Sequence, residues 1–386
     1  MTVVIVGGGI VGVATAYSLA RTGVNVVVCE RSTLGAGSTG RALGGIRAQF
    51  STPANVALSM RAMAVWDEFE ERFGVDIEHR THGYLFLTSE AGTAAALERT
   101  VEMQREHGVP SEYLDPAGAR AYLPELRADR YVAATYSPAD GTADPYLALR
   151  GFAEAAREAG AEIRTGVAVT DVVFERGPGG ERVAGVETDA GFLPAESVVN
   201  AAGPWAAAVA AMADLSLPVS PRRRQIAVVK PATPYPEDAP LTVDVETRVH
   251  FAPDRAGDAL VGGHFERADP EYDPDASPTG YDLDWVAAAL ERAAECADYF
   301  GADTRIKGGW SGLYAVTPDH GPIVEESRPG FVNAVGFSGH GFMHAPATAQ
   351  VVADLVWSGE TSIVDLAPFR RDRFDDGDAR EESHVI

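Results

Sequence analysis

The chain is short of cysteine and lysine. Its 386 residues contain only two cysteines, Cys29 and Cys296, and only two lysines, Lys230 and Lys307. Two isolated cysteines cannot build a disulfide framework or a zinc-binding pattern, and the nine histidines show no metal-binding spacing such as H-E-x-x-H. The sequence therefore predicts that the protein has no metal site. Cys29 ends a run of valines, so we expect it to be a small buried side chain.

Long hydrophobic runs are also missing. No stretch reaches the roughly 18 uninterrupted apolar residues that a membrane span needs. A predicted strand begins at Thr2 with no basic leader before it, which is unlike a signal peptide. These two absences predict a cytoplasmic protein without a membrane span.

Positive charge is scarce as well. The chain has 56 acidic residues against 32 basic ones, a formal net charge of -24, which argues against nucleic acids and anionic membranes as partners. An acid excess with few lysines suits a halophilic protein, because high salt screens the self-repulsion and carboxylates keep the surface hydrated. An acidic protein from a mesophile with a GC-rich genome is the alternative.

The order of the predicted elements indicates the α/β plus α+β class. The length suits two domains at roughly 150 residues each. Segments typical of a nucleotide-binding fold occur at the start, middle and end of the chain, which predicts a discontinuous Rossmann-type domain with a mainly antiparallel β substrate domain inserted in two pieces. We place the first domain at 1–83, 142–221 and 318–386, and the second at 84–141 and 222–317.

The sequence also predicts the local structure of three further segments. Residues 93–126 are predicted to form polar helices broken by prolines. The final helix is predicted to run from about Pro346 to Trp357, after a glycine turn. The acidic tail, residues 374–386, is predicted to be loose.

The first thirty residues carry the pattern of a dinucleotide-binding unit. A strand leads into the glycine-rich turn GGGIVG at 7–12, a helix follows, and a second strand ends at Glu30. Gly7 allows the tight turn, Gly9 lets the main chain approach a pyrophosphate, and Gly12 lets the helix pack closely on the strand. The helix N-terminus points at the phosphates. Glu30 is expected to hydrogen-bond the ribose hydroxyls, and its charge disfavours the 2′-phosphate of NADP.

The next segment distinguishes between dinucleotides. Residues 31–41 (RSTLGAGSTGR) form a long polar excursion, where NAD enzymes usually continue into another βα unit. Such a loop can wrap the second half of a larger cofactor, which favours FAD over NAD. A glycine turn in an α/β protein that binds no nucleotide is the alternative.

Seven segments together resemble the D-amino acid oxidase superfamily of flavoenzymes. The resemblance is greatest to the branch that holds sarcosine oxidases, glycine oxidase, and the β subunits of sarcosine oxidase and proline dehydrogenase. It spans nearly the whole chain, to about Phe374, and its motifs follow one another in the family's order. The segments are GGGIVGVATAYSLA at 7–20, LGAGSTGRALGGIRAQF at 34–50, ADGTADP at 139–145, VVNAAGPWA at 198–206, RRRQ at 222–225, YAVTPDHGPIV at 314–324 and GFSGHGFMHAPATAQVVADLV at 336–356.

This resemblance implies an FAD-binding domain of the GR2 type and a set of cofactor contacts. Val169 is expected to touch the adenine through its main chain, and the Ala201-Ala202-Gly203 turn to touch the pyrophosphate. The N-terminus of the final helix, with about half a positive charge, is expected to face flavin O2. The full set of expected cofactor contacts is Gly7, Gly9, Ile10, Val11, Gly12, Glu30, Arg31, Gly37, Ser38, Thr39, Gly44, Gly45, Val169, Ala201, Ala202, Gly203, Trp205, Gly312, Gly336, Gly339, His340, Gly341, Phe342 and Met343.

Four residues are the expected catalytic or substrate-binding side chains. Arg47 matches the position at which monomeric sarcosine oxidases place a substrate-binding arginine, and its two-pronged guanidinium suits a carboxylate. His264 matches a histidine near the substrate in the same enzymes. Tyr314 is expected to line the flavin, and His340 lies in the glycine turn beside it. The structural alternatives are a surface ion pair for Arg47 and a satisfied core histidine for His264. The remaining histidines that we considered, His79, His82, His107 and His384, are assigned no role.

The chain also departs from the monomeric sarcosine oxidases at three positions. Gly312 stands where those enzymes carry the cysteine that binds flavin covalently, so noncovalent FAD is expected. Met343 replaces their second carboxylate-binding cation, which predicts a more apolar pocket. Leu260 replaces the lysine thought to activate oxygen, so superoxide formation loses electrostatic help. A dehydrogenase that passes electrons to another acceptor is therefore as well supported as an oxidase.

The resemblance implies an FAD-dependent oxidoreductase acting on a small amine or amino acid, such as sarcosine, proline or a D-amino acid, by hydride transfer to flavin N5. An electron-acceptor protein or a second subunit is a possible partner. Three alternatives stay open at this stage. In the first, the chain is the catalytic β subunit of a hetero-oligomer. In the second, it is a hydroxy-acid or glycerol-3-phosphate dehydrogenase on the same scaffold, and in the third it is a catalytically silent FAD-binding protein.

Overall fold

The structure is a computed structural model that describes residues 1–177, 180–265, 268–377 and 379–384. This part of the chain forms ten α-helices, most of which follow a strand and pack against a sheet. The helices are α1 (Ile10–Ala20), α2 (Pro53–Trp66), α3 (Phe69–Phe73), α4 (Ala91–Glu106), α5 (Pro116–Tyr122), α6 (Pro145–Glu158), α7 (Ala206–Met212), α8 (Leu283–Cys296), α9 (Gly341–Ser358) and α10 (Arg373–Asp376).

The same residues form nineteen β-strands, which belong to four sheets. The strands are β1 (Thr2–Val6), β2 (Asn25–Glu30), β3 (Gly45–Ile46), β4 (Tyr84–Thr88), β5 (Glu112–Leu114), β6 (Ala133–Ser137), β7 (Gly141–Thr142), β8 (Glu162–Thr165), β9 (Val169–Gly177), β10 (Gly180–Thr188), β11 (Gly191–Pro194), β12 (Ser197–Asn200), β13 (Ser220–Lys230), β14 (Leu241–Asp244), β15 (Val249–Pro253), β16 (Ala259–Gly263), β17 (Arg305–Val316), β18 (Ile323–Arg328) and β19 (Phe331–Val335).

A six-stranded sheet has the order β18-β19-β12-β1-β2-β8. Its strands are parallel except β18, which runs antiparallel to β19. The central strand β1 is covered on both faces, as parallel strands usually are. Val3 and Ile5 pack with the helices α1 and α9, whereas Val4 and Val6 pack with the three-stranded sheet β11-β10-β9. This alternation follows from the two-residue period of a strand.

An eight-stranded sheet has the order β17-β13-β16-β15-β14-β4-β6-β5 and is antiparallel except where β14 meets β4. The helix α8 packs on β15 and β16 through a buried face that includes Val286 and Ala289. The predicted fold class, a Rossmann-type domain with an inserted mainly antiparallel β domain, is confirmed. All eight strands fall within 84–141 and 222–317 apart from the first two residues of β13. The domain boundaries themselves stay a prediction.

The helix that the sequence predicted after the glycine turn is α9, and it begins earlier than predicted. We placed its start near Pro346, whereas α9 starts at Gly341 and contains Pro346 in its interior. Proline there cannot donate to the Phe342 carbonyl. Packing against α1 and α2 stabilises the helix in spite of that loss, because Phe342 and most of the residues after it are buried. The glycine turn and the helix therefore join directly.

Two other segments also differ from the predictions. The region 93–126 contains the short strand β5 besides the helices α4 and α5, because it pairs with β6 at the edge of the eight-stranded sheet. The tail was expected to be loose, but Glu382 and His384 are buried, with 1% and 6% of their surface exposed. Hydrogen bonds to the N-terminal end of α2 and to the main chain of Gln49 hold them.

Candidate functional site

A cavity of about 730 Å³ lies between the two large sheets. On one side it is lined at the carboxyl ends of β1, β2 and β12, where Val6, Glu30 and Ala201 lie. On the other side it is lined by the eight-stranded sheet, through residues such as Tyr84 and Tyr314. Ligands of open α/β sheets bind outside the carboxyl ends of the parallel strands. The cavity is therefore at the position expected for a nucleotide.

The turn between β1 and α1 accepts only glycine at two positions. Gly7 has a φ of +112°, and a Cβ atom there would lie 2.6 Å from the Ala201 carbonyl oxygen. A Cβ atom at Gly12 would overlap the carbonyl oxygen of Gly7. The turn consequently brings the N-terminus of α1 to the cavity wall, where its N–H groups and partial positive charge suit a phosphate.

Glu30 is held by the main chain around this turn. Its two carboxylate oxygens accept hydrogen bonds from the Gly8 N–H at 2.7 Å and the Ser32 N–H at 2.8 Å. Each oxygen retains a further lone pair. The side chain lines the cavity, so it is fixed in place and still able to accept hydrogen bonds from ribose hydroxyls.

The polar loop after Glu30 lies along the cavity and connects the two sheets. Thr39 Oγ1 accepts from the Ile10 N–H at 3.0 Å, which satisfies one donor of the first turn of α1. Ser38 Oγ donates to the Leu313 carbonyl of β17 at 2.6 Å. The loop therefore closes over the glycine turn and is tied to the eight-stranded sheet.

Three side chains form a clasp at the outer end of the cavity. The guanidinium of Arg31 lies 4.7 Å from the ring centre of Trp205. Asp275 accepts a hydrogen bond from Trp205 Nε1 at 2.9 Å and pairs with Arg31. All three residues line the cavity. We call them the Arg31 clasp.

The flavin end of the cavity is also walled by glycine. Gly339 has a φ of +98°, and a Cβ atom there would overlap the ring of Tyr314. A Cβ atom at Gly45 would overlap the hydroxyl of Tyr84. The N-terminus of α9 reaches this wall at Gly341. A cavity with an acid for the ribose, one helix N-terminus for the pyrophosphate, a second for the flavin ring and close main chain between them fits FAD.

The structure brings nearly all the predicted cofactor residues to this one cavity. Of the whole predicted set, only Gly12 is not part of the lining. Its place against Gly7 is the packing role that the glycine motif assigns to it. Among the four expected catalytic residues, Arg47, Tyr314 and His340 line the cavity and His264 does not.

Arg47 is a buried cation in the cavity wall. It is 1% exposed, and the ring centre of Phe50 lies 4.0 Å from its guanidinium. Its Nη1 donates to the Gln49 carbonyl and its Nη2 to the His384 carbonyl, while its Nε is buried without a partner in the part of the chain described. Within those residues no carboxylate lies within 4.0 Å of it. Burial lowers the pKa of Arg47, although arginine stays charged.

The histidines beside Arg47 are neutral. His340 Nε2 lies 3.4 Å from Arg47 Nη2, and because arginine cannot accept a hydrogen bond, this nitrogen is the acceptor. Burial, and then the charge of Arg47, hold the pKa of His340 well below its usual value. Burial lowers the pKa of His344 to about 3 and that of His250 to about 4. Arg47 therefore faces no other positive charge from these rings.

A buried hydrogen-bond network supports the segment that carries Arg47, directly after β3. Asp140 accepts from the Ala48 N–H at 2.8 Å and from Gln49 Nε2 at 3.1 Å. Gln49 in turn accepts from Thr135 Oγ1 at 3.0 Å and donates to the Tyr84 carbonyl at 2.9 Å. Burial raises the pKa of Asp140 to about 6, against the lowering effect of these hydrogen bonds. The motif segment at 139–145 thus acts behind the site rather than in its wall.

Sequence reasoning missed several lining residues. One histidine that it expected near the substrate, His264, lies outside the lining. His264 is half-buried and lies 3.8 Å from Asp269, which pairs at 2.8 Å with Arg224. Besides His340, the lining contains His250 on β15, opposite Gly262 of the neighbouring strand. The available signal was a single polar residue within the apolar run of β15. Tyr84, Gln225 and Arg224 also line the cavity and were assigned no role.

Two of the three positions that differ from the monomeric sarcosine oxidases lie at the cavity. Gly312 and Met343 line the cavity, whereas Leu260 on β16 does not. A Cβ atom at Gly312 would lie 3.0 Å from the Cβ of Arg41, so even a small side chain there requires the loop to shift. This crowding is compatible with the expected noncovalent cofactor.

The described residues contain neither a metal-binding cluster nor a helix that could cross a membrane. Within residues 1–177, 180–265, 268–377 and 379–384, no group of three or more His, Cys, Asp or Glu side chains is arranged to hold a metal ion. None of the described helices has the length and apolar character that a bilayer crossing requires. Cys29 and Cys296 are both buried, and burial raises the pKa of the Cys29 thiol to about 11. This agrees with the small buried side chain expected at Cys29.

The chain is similar to known proteins over almost its full length. It is 32% identical over 376 residues to glycine oxidase of Geobacillus kaustophilus, with 95% of each chain covered. It is 30% identical over 372 residues to human mitochondrial sarcosine dehydrogenase, covering 92% of this chain and 40% of that protein. The crystal structure of L-proline dehydrogenase from P. horikoshii superposes with a TM-score of 0.87 at 30% identity and covers 97% of this chain and 98% of that one.

A family profile decides the classification. The profile described as DAO, FAD dependent oxidoreductase, matches residues 2–355. That range contains the glycine turn, Glu30, the polar loop, Arg47 and the N-terminus of α9. The chain therefore belongs to this family of FAD-dependent oxidoreductases, as the resemblance of its seven segments predicted.

Proposed function

We propose that this protein oxidises a small amino acid at the carbon beside its nitrogen, with a secondary or N-methylated amine as the preferred substrate. Three relatives named above are described as acting on glycine, sarcosine or proline. FAD, when bound, supplies the acceptor for the hydride that leaves this carbon. The chain's own residues bind the carboxylate, hold the substrate in place and exclude water.

The observation that carries the proposal is the environment of Arg47. A buried charge is costly unless it is paired. This chain has 24 more acidic than basic residues, yet in the described residues no carboxylate lies within 4.0 Å of Arg47. Its Nε–H donor is buried and has no partner among those residues. A substrate carboxylate in the cavity supplies the missing charge.

The other side chains shape the rest of the pocket. Tyr84 and Met343 give it an apolar wall, and burial raises the pKa of the Tyr84 phenol, which keeps it protonated. Arg224 also lines the cavity but is paired with Asp269. His250 and His340 are neutral. Arg31 and Arg41 line the cavity too, but they are exposed or half-buried, whereas Arg47 is buried. As a buried cation Arg47 orients a substrate through one carboxylate, and the neutral histidines leave the amine in neutral surroundings.

The test is an anaerobic screen of the purified yellow protein in high salt. The ligands are amino acids, their N-methyl forms, the amides of the same compounds and a set of hydroxy acids. Bleaching of the flavin absorbance by N-methyl or cyclic amino acids, with the amides at least 100-fold less effective, is the expected result. Bleaching by hydroxy acids alone overturns the proposal in favour of a hydroxy-acid dehydrogenase. If no compound bleaches the flavin, the protein is a silent FAD-binding protein.

We further propose that oxygen is a poor electron acceptor. No lysine is among the described residues that line the cavity, and Leu260 lies outside the lining. A cation beside the flavin is what promotes superoxide formation. Turnover with a redox dye is therefore expected to exceed turnover with oxygen at least tenfold. Equal rates with both acceptors contradict this. If the isolated chain reduces neither the dye nor oxygen, a second chain that co-purifies with it must supply the acceptor site.

A further inference from the structure

The end of the described chain lies against the substrate-binding arginine. Residues 381–384 alternate between solvent and the interior, with Glu382 and His384 buried and Glu381 and Ser383 exposed. This two-residue period is that of extended chain laid on a surface. We call residues 382–384 the C-terminal strap. None of the predictions from the sequence assigned it a role.

Glu382 anchors the strap at the N-terminus of α2. Its Oε1 accepts from the Ser51 N–H at 2.7 Å and from Ser51 Oγ at 2.6 Å. Its Oε2 accepts from the Thr52 N–H at 3.1 Å, Thr52 Oγ1 at 2.8 Å and Asn55 Nδ2 at 3.1 Å. Five donors and a helix N-terminus suit a carboxylate. Burial raises the pKa of Glu382, but His384 and the bonds from Ser51 outweigh it and hold the pKa below its usual value.

The anchor delivers His384 to Arg47. The Ser383 N–H donates to Ser51 Oγ at 2.9 Å, and the His384 N–H donates to Glu382 Oε1 at 3.1 Å. The His384 ring stacks on Phe86 with 5.1 Å between ring centres and lies 3.2 Å from the Gln49 carbonyl through Nδ1. Its carbonyl oxygen then accepts from Arg47 Nη2.

Two carbonyls therefore grip one end of the guanidinium. Gln49 holds Nη1 and His384 holds Nη2, whereas Nε has no partner in the described residues. Phe50 lies against the guanidinium and Phe86 lies 5.5 Å from it. An arginine held in this way has already lost its rotamer freedom before a ligand binds. Ligand binding therefore costs less conformational entropy.

We propose that the strap is a built-in part of the carboxylate site, in which Glu382 and His384 are positioning residues for Arg47. The inference rests on the proposed function, since it takes Arg47 as the ligand for a substrate carboxylate. The strap fixes the guanidinium of Arg47 in the cavity wall, and Glu382 acts only through the chain that it anchors. A ligand without a carboxylate gains nothing from this arrangement.

The experiment compares Glu382→Gln and Glu382→Ala with the matched control Glu381→Gln, which makes the same change of charge on an exposed neighbour. Calorimetry measures the binding of a small monocarboxylate inhibitor and of its amide to the FAD-loaded proteins. FAD content and melting temperature identify variants that are merely unfolded. Glu382→Gln keeps the shape of the anchor, so it stays informative if Glu382→Ala does not fold.

The expected result is a tenfold or greater loss of carboxylate affinity in Glu382→Gln, unchanged amide affinity, and wild-type behaviour of Glu381→Gln. Unchanged carboxylate affinity shows that the strap does not position Arg47 and overturns the inference. Tighter binding of both ligands overturns it too, because the strap would then be an obstruction. If the wild-type protein does not distinguish the carboxylate from the amide, the proposed function fails first, and the two failures are thus distinguishable.

Discussion

The nucleotide end of the cavity is built from main chain, whereas the substrate end is built from side chains. At the first, Gly7 and Gly12 let main-chain segments pack at distances that a Cβ atom would prevent, which brings the N-terminus of α1 to the cavity. At the second, Arg47, Gln49 and Asp140 form a buried polar group whose members come from segments far apart in the sequence. The first end depends on one short stretch of sequence, and the second on contacts between distant segments.

This difference governs how each end responds to substitution. Main-chain recognition fails by steric overlap, which no neighbouring residue can repair. A side-chain network fails through lost charge and lost hydrogen bonds, and the size of the loss depends on pH and on partners. Variants at the two ends are therefore expected to differ in kind as well as in size.

The largest effect is expected at the glycine turn. In Gly12→Ala the new methyl group overlaps the Gly7 carbonyl, so α1 cannot pack on β1 and the phosphate-binding N–H groups move. We expect at least a 100-fold loss of FAD affinity, measured by fluorescence titration of the apoprotein. The matched control is Gly92→Ala, where no atom lies within 4 Å in the helix α4. It should retain FAD and gain about 0.5–1 kcal/mol of stability. Retention of FAD by Gly12→Ala would show that the turn is not the recognition element.

The next largest effect concerns the neutral histidines of the substrate end. Burial lowers the pKa of His344 to about 3. The stability due to the neutral ring is therefore complete above the ordinary histidine pKa of about 6.5 and is lost as the pH falls toward 3. At 1.36 kcal/mol per unit, about 3 kcal/mol is lost between pH 6.5 and pH 4. In His344→Leu the fall in unfolding free energy over this range should be smaller by about that amount.

The control for this prediction is Ser59→Ala, which removes the hydroxyl 2.8 Å from His344 Nε2 and leaves the titrating ring in place. Urea unfolding at pH 7 and at pH 4 provides the measurement. Parallel pH dependence of His344→Leu and the parent protein would contradict the neutral-ring account.

A smaller effect is expected where the substrate end lacks a second cation. Met343 lines the cavity on the first turn of α9. Met343→Lys adds a charged donor, which is expected to tighten a carboxylate inhibitor about tenfold, or about 1.4 kcal/mol. The conservative control Met343→Leu should leave the affinity unchanged. Weaker binding of the carboxylate to Met343→Lys would show that position 343 does not face the same ligand as Arg47.

The smallest effect is expected at the Arg31 clasp, which is the side-chain part of the nucleotide end. Arg31 and Asp275 have about half of their side-chain surface exposed, at 50% and 57%. Exposed ion pairs contribute little and are screened by salt. Asp275→Asn should raise the FAD dissociation constant about threefold at low salt and leave it unchanged at about 1 M salt. A difference that persists in high salt would point to the Trp205 hydrogen bond instead of the ion pair.

The same contrast explains what the sequence predicted. β1, the glycine turn and Glu30 were predicted closely, because each depends on neighbours within about thirty residues. Arg47, Tyr314 and His340 were found through motifs that resemble a family, and the structure brings them to one cavity. Their roles stay predictions until the variants are measured.

What the sequence missed depends on long-range packing. The strap looked like a charged tail, because an acidic residue at position 382 gives no sign that it is anchored by Ser51, more than three hundred residues earlier. His250 looked like one polar residue in an apolar strand, and β15 places it in the wall while His264 lies beside Asp269. Helix α9 begins before Pro346 because buried packing outweighs the lost hydrogen bond. Of these features, only His250 had a local signal, as a single polar residue in an apolar strand.

The central claim is that Arg47 recognises a substrate carboxylate at the side-chain end of the cavity. The most direct test measures how fast the best amino acid and its amide each reduce the flavin anaerobically, in the wild type and in Arg47→Leu. We predict that the wild type favours the acid at least 100-fold, and that Arg47→Leu loses this preference while it binds FAD normally and still reacts with the amide. An undiminished preference for the acid in Arg47→Leu would contradict the account.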